Sequence, residues 1–239
     1  MTNPHRPPAP KAILFDLDGT LADTAPDLAA AMNLLRARAG LAPTPYERLR
    51  PVASAGARGM IGAAYGITPD DAAYEALKVA FLDNYAAALA VHSTLFDGVP
   101  ELLGGIGALG LGWGIVTNKA ARFTDALVGP IGLGHAGCVV SGDTTAHAKP
   151  HPAPLLEAAR RLRLAPEQCW YVGDDRRDID AGRAAGMRTI ACAWGYCGPV
   201  EPLGWGADHL LATPHELLAL LSSTVGQVGA VGNTGALAA

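Results

Sequence analysis

This chain lacks any apolar run long enough to cross a bilayer, and its lysines and arginines form no cluster. The first absence leaves no membrane segment. The second leaves no electrostatic footprint for nucleic acid. Charged residues are sparse, at 17%, with a formal net charge of -4, and aromatics make up only 6%. The four cysteines, Cys138, Cys169, Cys192 and Cys197, form no C-x-x-C pair, and all but Cys197 lie in or beside apolar runs. Reduced core thiols in a cytoplasmic protein are the expectation. Residues 1–10 are polar and proline-rich without an apolar h-region. They read as a disordered lead, not a signal peptide.

What is present is a chain of 239 residues, 50% hydrophobic and with 29 glycines. That length suits one large domain with a smaller one inserted, and the glycines suit many tight turns. Short apolar runs recur at Ala12–Phe15, Gly112–Val116, Cys138–Val140, Trp170–Val172 and Thr189–Cys192. Runs without alternation fit strands covered on both faces. Helical faces lie between them: Val99, Leu102, Leu103 and Ile106, then Leu155, Leu156, Ala159 and Leu162. This β-α-β rhythm predicts an α/β fold with a doubly wound parallel sheet.

From Thr24 to Phe96 the rhythm breaks. Leu28, Ala31, Met32 and Leu35 share one helical face, closed by Gly40. Tyr74, Leu77, Phe81 and Tyr85 share another, and no strand is expected. We read 24–96 as a helical cap inserted into a core made of 11–23 and 97–221. Residues 222–239, uncharged and rich in small residues, are expected to form a flexible tail.

Ligands of doubly wound sheets bind beyond the carboxyl ends of the strands. The polar residues there are Asp16-Leu-Asp18-Gly19-Thr20, Thr117-Asn118-Lys119, Lys149-Pro150 and Gly173-Asp174-Asp175-Arg-Arg-Asp178. Together they resemble the four motifs of the haloacid dehalogenase superfamily, over about Lys11 to Leu221. The cap position is similar to that of the phosphoglycolate phosphatase-like branch. Ser54-Ala-Gly-Ala-Arg58-Gly-Met60, His92-Ser93 and the Gly-Asp-Asp segment also resemble bacterial phosphatases of N-acetylmuramate 6-phosphate, which serve cell-wall recycling. The resemblance implies a Rossmann-like core and a magnesium-dependent phosphatase working on a small phosphorylated metabolite.

Phosphoryl transfer asks for an in-line nucleophile and positive charge around the phosphate. Asp16 is the expected nucleophile, forming an aspartyl phosphate. Mg2+ would sit on Asp16, Asp174 and the Asp18 backbone carbonyl, with Asp175 and Asp178 as outer or alternative ligands. The Asp18 side chain would protonate the leaving group and later activate water. Thr117, with Asn118 beside it, would hold phosphate oxygens, and Lys149 would offset growing charge. Arg58 could read a substrate carboxylate, which both 2-phosphoglycolate and N-acetylmuramate 6-phosphate carry. His92 reads more naturally as a hinge residue, and Arg176, Arg177 and Arg183 as surface partners of local carboxylates. Asp175 departs from the family's usual Gly-Asp-Ser and adds negative charge beside the metal.

Other classes fit less well. A sugar phosphomutase of the beta-phosphoglucomutase type would share the Asp16 chemistry and the cap. A dehalogenase has no need of Asp18. A phospho-receiver would carry its acceptor Asp on a later strand and has no use for a cap. A nicotinamide-binding protein would place glycines after a strand, whereas Gly104 to Gly114 precede one. Nothing in the sequence separates monomer from dimer.

Overall fold

A computed structural model of the chain describes residues 9–198 and 201–232. In chain order, β1 (Ala12–Phe15) leads through a short β2 (Ala22–Asp23) into four helices. These are α1 (Ala25–Arg38), α2 (Tyr46–Leu49), α3 (Gly56–Tyr65) and α4 (Tyr74–Ala87). The short β3 (Thr94–Leu95) brings the chain back and pairs antiparallel with β2. Then follow α5 (Val99–Ala108), β4 (Gly112–Val116), α6 (Ala121–Val128), β5 (Val139–Val140) and α7 (Ala153–Leu162). The chain continues with β6 (Cys169–Gly173), α8 (Arg176–Ala184), β7 (Arg188–Cys192), β8 (His209–Leu211) and α9 (Pro214–Gly232).

The main sheet runs in the order β5-β4-β1-β6-β7-β8, with every pair parallel. It is an α/β fold with helices on both faces, and β1 lies at its centre. Phe15 is level with Ile115 on one side and Val172 on the other. The carboxyl ends of β4, β1 and β6 therefore open onto one rim, where the chain turns from one half of the sheet to the other.

Alternation along the strands divides the core. Ile13, Phe15, Trp170 and Val172 pack with Val99, Leu102 and Ile106 of α5 and Leu217 and Leu221 of α9. Ala12, Leu14 and Tyr171 face the opposite side, against Leu155, Ala158 and Ala159 of α7 and Ala181 of α8. Each large side chain so buried contributes about 2 kcal/mol. Helices α1 to α4 have their own core of Leu28, Met32, Leu49, Met60, Ile61, Phe81 and Tyr85, which Phe123 and Tyr196 join from the sheet side.

Several expectations are corrected. A flexible tail was expected from residue 222, yet α9 continues to Gly232, its start held by the buried Leu217 and Leu221; 233–239 lie outside the described residues. Residues 1–8 of the expected disordered lead also lie outside them, and Pro10 is buried. The expected strand-free stretch contains β3, a two-residue crossing whose partner β2 lies before α1. Strand β8 was not foreseen. On α7 the buried face is Leu155, Ala158 and Ala159, while Leu156 is exposed.

Candidate active site

The loop after β1 carries Asp16 and Asp18, both nearly inaccessible. Leu17 O accepts from the N–H groups of Thr20, Leu21 and Ala22, which bends the chain tightly. Gly19 has φ +89, and a β-carbon there would collide with the Asp174 carboxylate. Only glycine admits both the backbone conformation and that approach. Thr20 Oγ1 donates to Asp174 Oδ1 at 2.9 Å, tying the loop to the end of β6.

Asp16, Asp174 and Asp178 are buried, and one carboxylate oxygen from each lies within 4.8 Å of the others. Packing like charges this closely favours protonation. Burial, reinforced by Asp16 and Asp178, pushes the Asp174 carboxyl up to about 8. Asp178 also lies above the ordinary carboxylate range, through burial. Lys149 supplies one counter-charge, with Nζ 2.9 Å from Asp16 Oδ1 and 2.7 Å from Asp178 Oδ1. It also donates to Val116 O and the Tyr171 hydroxyl. Burial works against the Lys149 charge, but Asp16 and Asp178 outweigh it and hold its pKa above the ordinary lysine value.

One lysine does not satisfy the cluster. Asp16 Oδ1 is close to Lys149 in charge terms, yet among the described residues no donor meets it at hydrogen-bonding angles. Asp178 is fully engaged: Oδ1 accepts from Lys149 and Tyr171, and Oδ2 from the Asp175 N–H. Hard oxygen donors around a poorly satisfied buried carboxylate suit a small divalent cation. Asp16, Asp174 and Asp178 bring such donors together, and Asp178 also orients Lys149.

Asp175 turns away from this cluster. It caps α8, accepting from the Arg177 N–H at 2.9 Å. Its two oxygens also take Arg177 Nε and Nη2, both at 2.8 Å. Burial alone would raise the Asp175 carboxyl, but Arg177 pulls it below its ordinary value. Arg176 pairs with Asp180, as expected of a surface charge. Arg177 does not remain a surface charge: it lines the cavity and donates from Nη2 to Ser54 O at 3.0 Å.

At the end of β4 Thr117 is buried and lines the cavity. The Asn118 side chain is taken up differently from the phosphate contact expected of it. Its amide donates to Lys149 O and accepts from Lys149 N, both at 2.9 Å, so it brackets the lysine backbone. Lys119, given no role from sequence, donates to Asp18 Oδ1 at 2.9 Å. Thr24 Oγ1 donates to the same oxygen. Burial opposes the Lys119 charge, yet Asp18 overrides it and keeps the pKa high.

Helices α1 to α4, read above as a cap, lie over these groups. Ser54 Oγ donates to Asp18 O at 3.3 Å and to Asp174 Oδ2 at 3.1 Å. Between cap and core lies a cavity of about 220 Å³. Its floor includes Asp16, Asp18, Thr117 and Lys149, and its cap wall Leu28, Ala53, Phe81, Leu82 and Tyr85. Arg58 is not part of that lining; it is exposed on α3, because Ala57 and not Arg58 turns inward. Arg58 as carboxylate reader is therefore set aside.

The hinges are also built from polar residues. Asp27 of α1 accepts from the N–H groups of Val91, His92 and Ser93 and from the Ser93 hydroxyl. His92 thus enters the hinge through its backbone. Tyr196, beyond β7, accepts from the N–H groups of Thr24 and Ala25, donates to Asp23 Oδ1, and gives its own N–H to Asp174 Oδ2. No local sequence signal marks Asp27 or the Tyr196 hydroxyl, because the partners of Asp27 are at least 64 residues away and those of the hydroxyl at least 171.

The chain is similar to known proteins over most of its length. A family model described as haloacid dehalogenase-like hydrolase matches residues 10–186. An N-acetylmuramic acid 6-phosphate phosphatase of Pseudomonas aeruginosa is 45% identical over 213 residues, covering 88% of this chain and 94% of its own. A phosphoglycolate phosphatase of Xanthomonas campestris pv. campestris is 47% identical over 210 residues, covering 87% and 95%. A crystal structure described as a predicted phosphoglycolate phosphatase from Haemophilus somnus superposes with TM-score 0.76 at 26% identity, covering 88% of this chain and 97% of that one. Among the described residues no helix is long and apolar enough to cross a membrane.

Proposed function

This chain belongs to the haloacid dehalogenase-like hydrolases, and from that premise we propose that it is a magnesium-dependent phosphomonoester phosphatase. The observation that carries the proposal is the buried group of Asp16, Asp174 and Asp178 around Lys149, opening into a capped cavity. The substrate class is a small phosphate ester with a carboxylate. The similar proteins named above for phosphoglycolate and N-acetylmuramic acid 6-phosphate support that class.

Asp16 acts as nucleophile. Its carboxylate oxygen bonds to phosphorus as the bond from phosphorus to the ester oxygen breaks, leaving a phosphorylated Asp16. Asp18, held by Lys119 and Thr24, delivers a proton to the departing oxygen. It then takes a proton from the water that attacks the aspartyl phosphate, so that inorganic phosphate leaves and Asp16 is regenerated. Lys149 and Thr117 offset charge on the phosphoryl oxygens, and Asn118 keeps the Lys149 backbone in position. Mg2+, held by Asp16, Asp174 and the Asp18 carbonyl, would supply the positive charge that lets a carboxylate face a phosphate dianion. Ser54 and the apolar cap wall exclude bulk water.

The test is phosphate release, with magnesium, from 2-phosphoglycolate, N-acetylmuramate 6-phosphate, glucose phosphates and a nucleotide monophosphate. Asp16→Asn is expected to lose turnover by on the order of 10⁴-fold or more while keeping its circular dichroism spectrum. Substantial turnover by Asp16→Asn would remove it as nucleophile. Phosphate moved within a sugar without release would favour a phosphomutase.

A further inference from the structure

Two neighbouring buried polar groups on the cavity wall, which attract each other, keep hydrogen-bonding capacity that no described residue meets at full hydrogen-bond geometry. Lys119 Nζ carries three hydrogens; one goes to Asp18 Oδ1, and Nζ stands 4.8 Å from the centre of the Tyr85 ring. The Tyr85 hydroxyl is buried and has no hydrogen-bond partner among the described residues. Both residues line the cavity, Lys119 from the loop after β4 and Tyr85 from the cap helix α4. Unsatisfied buried groups of this kind are uncommon, and each calls for a partner.

The other cations on the wall are more fully engaged. Arg177 gives Nε and Nη2 to Asp175 and Nη2 to Ser54 O. Lys149 is divided among Asp16, Asp178, Tyr171 and Val116 O. Lys119 and Tyr85 instead face the cavity as adjacent donors, among Leu28, Phe81, Leu82 and Phe123. In such apolar surroundings a hydrogen bond to a charged oxygen is strengthened.

We propose that Lys119 Nζ and the Tyr85 hydroxyl together bind the carboxylate of the substrate. The inference deepens, and rests on, the phosphatase reading above. Lys119 also holds Asp18, so the carboxylate is bound on the leaving-group side of the phosphate. The favoured class is therefore a phosphomonoester whose carboxylate is attached to the carbon bearing the ester oxygen. Because one donor comes from the core and one from the cap, a bound carboxylate also joins the two.

The test compares kcat/KM for 2-phosphoglycolate with that for ethyl phosphate, which has a methyl group where the carboxylate stands. Wild type, Tyr85→Phe, Lys119→Met and Lys119→Arg are measured. Tyr85→Phe keeps the ring, whose centroid lies 5.4 Å from that of Phe123, so the packing survives. The wild-type preference for the carboxylate ester is expected to fall about 10-fold in Tyr85→Phe and about 100-fold in Lys119→Met. Lys119→Arg should restore part of it. If wild type has no preference, or the variants slow both esters by the same factor while phosphate release persists, the subsite is overturned and the phosphatase reading stands. If wild type releases phosphate from neither ester nor the wider panel, the phosphatase reading fails and takes the subsite with it.

Discussion

At the scale of single residues, Asp27 joins α1 to the returning hinge by accepting from three consecutive backbone N–H groups and one hydroxyl. Asp27→Ala leaves those donors without an acceptor in a mostly buried place. The expected cost is about 3 kcal/mol, read as a lower denaturant midpoint, with Asp27→Asn losing less. The thiols give a second prediction. Burial pushes Cys138 and Cys169 up to about 11. Raised values keep the thiols protonated at pH 8, and the thiolate is the reactive form. Alkylation of folded protein by iodoacetamide at pH 8 is expected to be slow at both, and fast once the protein is denatured. Asp16, Asp18 and Asp174 are legible in the sequence because each closely follows an apolar run, and Lys149 because it stands with Pro150 just before a helix. Lys119 stood in plain view beside Thr117, but only the fold brings Asp18 and Tyr85 to it.

At the scale of elements, Asp175, the N-cap of α8, keeps Arg177 directed toward the turn before α3. Asp175→Ser is expected to leave the magnesium midpoint for activity nearly unchanged, since Asp175 is not one of the three clustered carboxylates. It should instead loosen the cap, lowering stability by about 1–2 kcal/mol and speeding proteolysis near Ser54. A large rise in the magnesium midpoint would return Asp175 to the metal. The same level explains what the sequence hid. The central strands, buried on both faces, are written as apolar runs. Strand β8 is an edge strand with an exposed Leu210, so no such run marks it. The pairing of β2 with β3 spans only two residues on each side, too short for any periodicity. Helix α9 fades into small uncharged residues, and the sequence offers no stripe there that distinguishes helix from coil.

At the scale of the whole molecule, the clustered carboxylates link folding to pH. Asp174 rises from 3.8 to about 8 in the folded protein without metal, through burial and then Asp16 and Asp178. Between those values the folded state holds a proton that the unfolded chain has released, so stability is lost as pH rises through that window. A magnesium ion held there, as proposed above, would replace the proton as counter-charge, and ligand binding adds stability. Thermal melts should therefore show a larger gain from magnesium at pH 8 than at pH 6. An equal gain at both would mean that the carboxylates do not carry the titration. The division between floor and lid has another consequence. Phe81, Leu82 and Tyr85 reach the cavity from little more than one turn of α4, whereas the groups proposed to react all come from the sheet rim. A small combinatorial library confined to those three codons would sample new substrate preferences on an unaltered chemical engine.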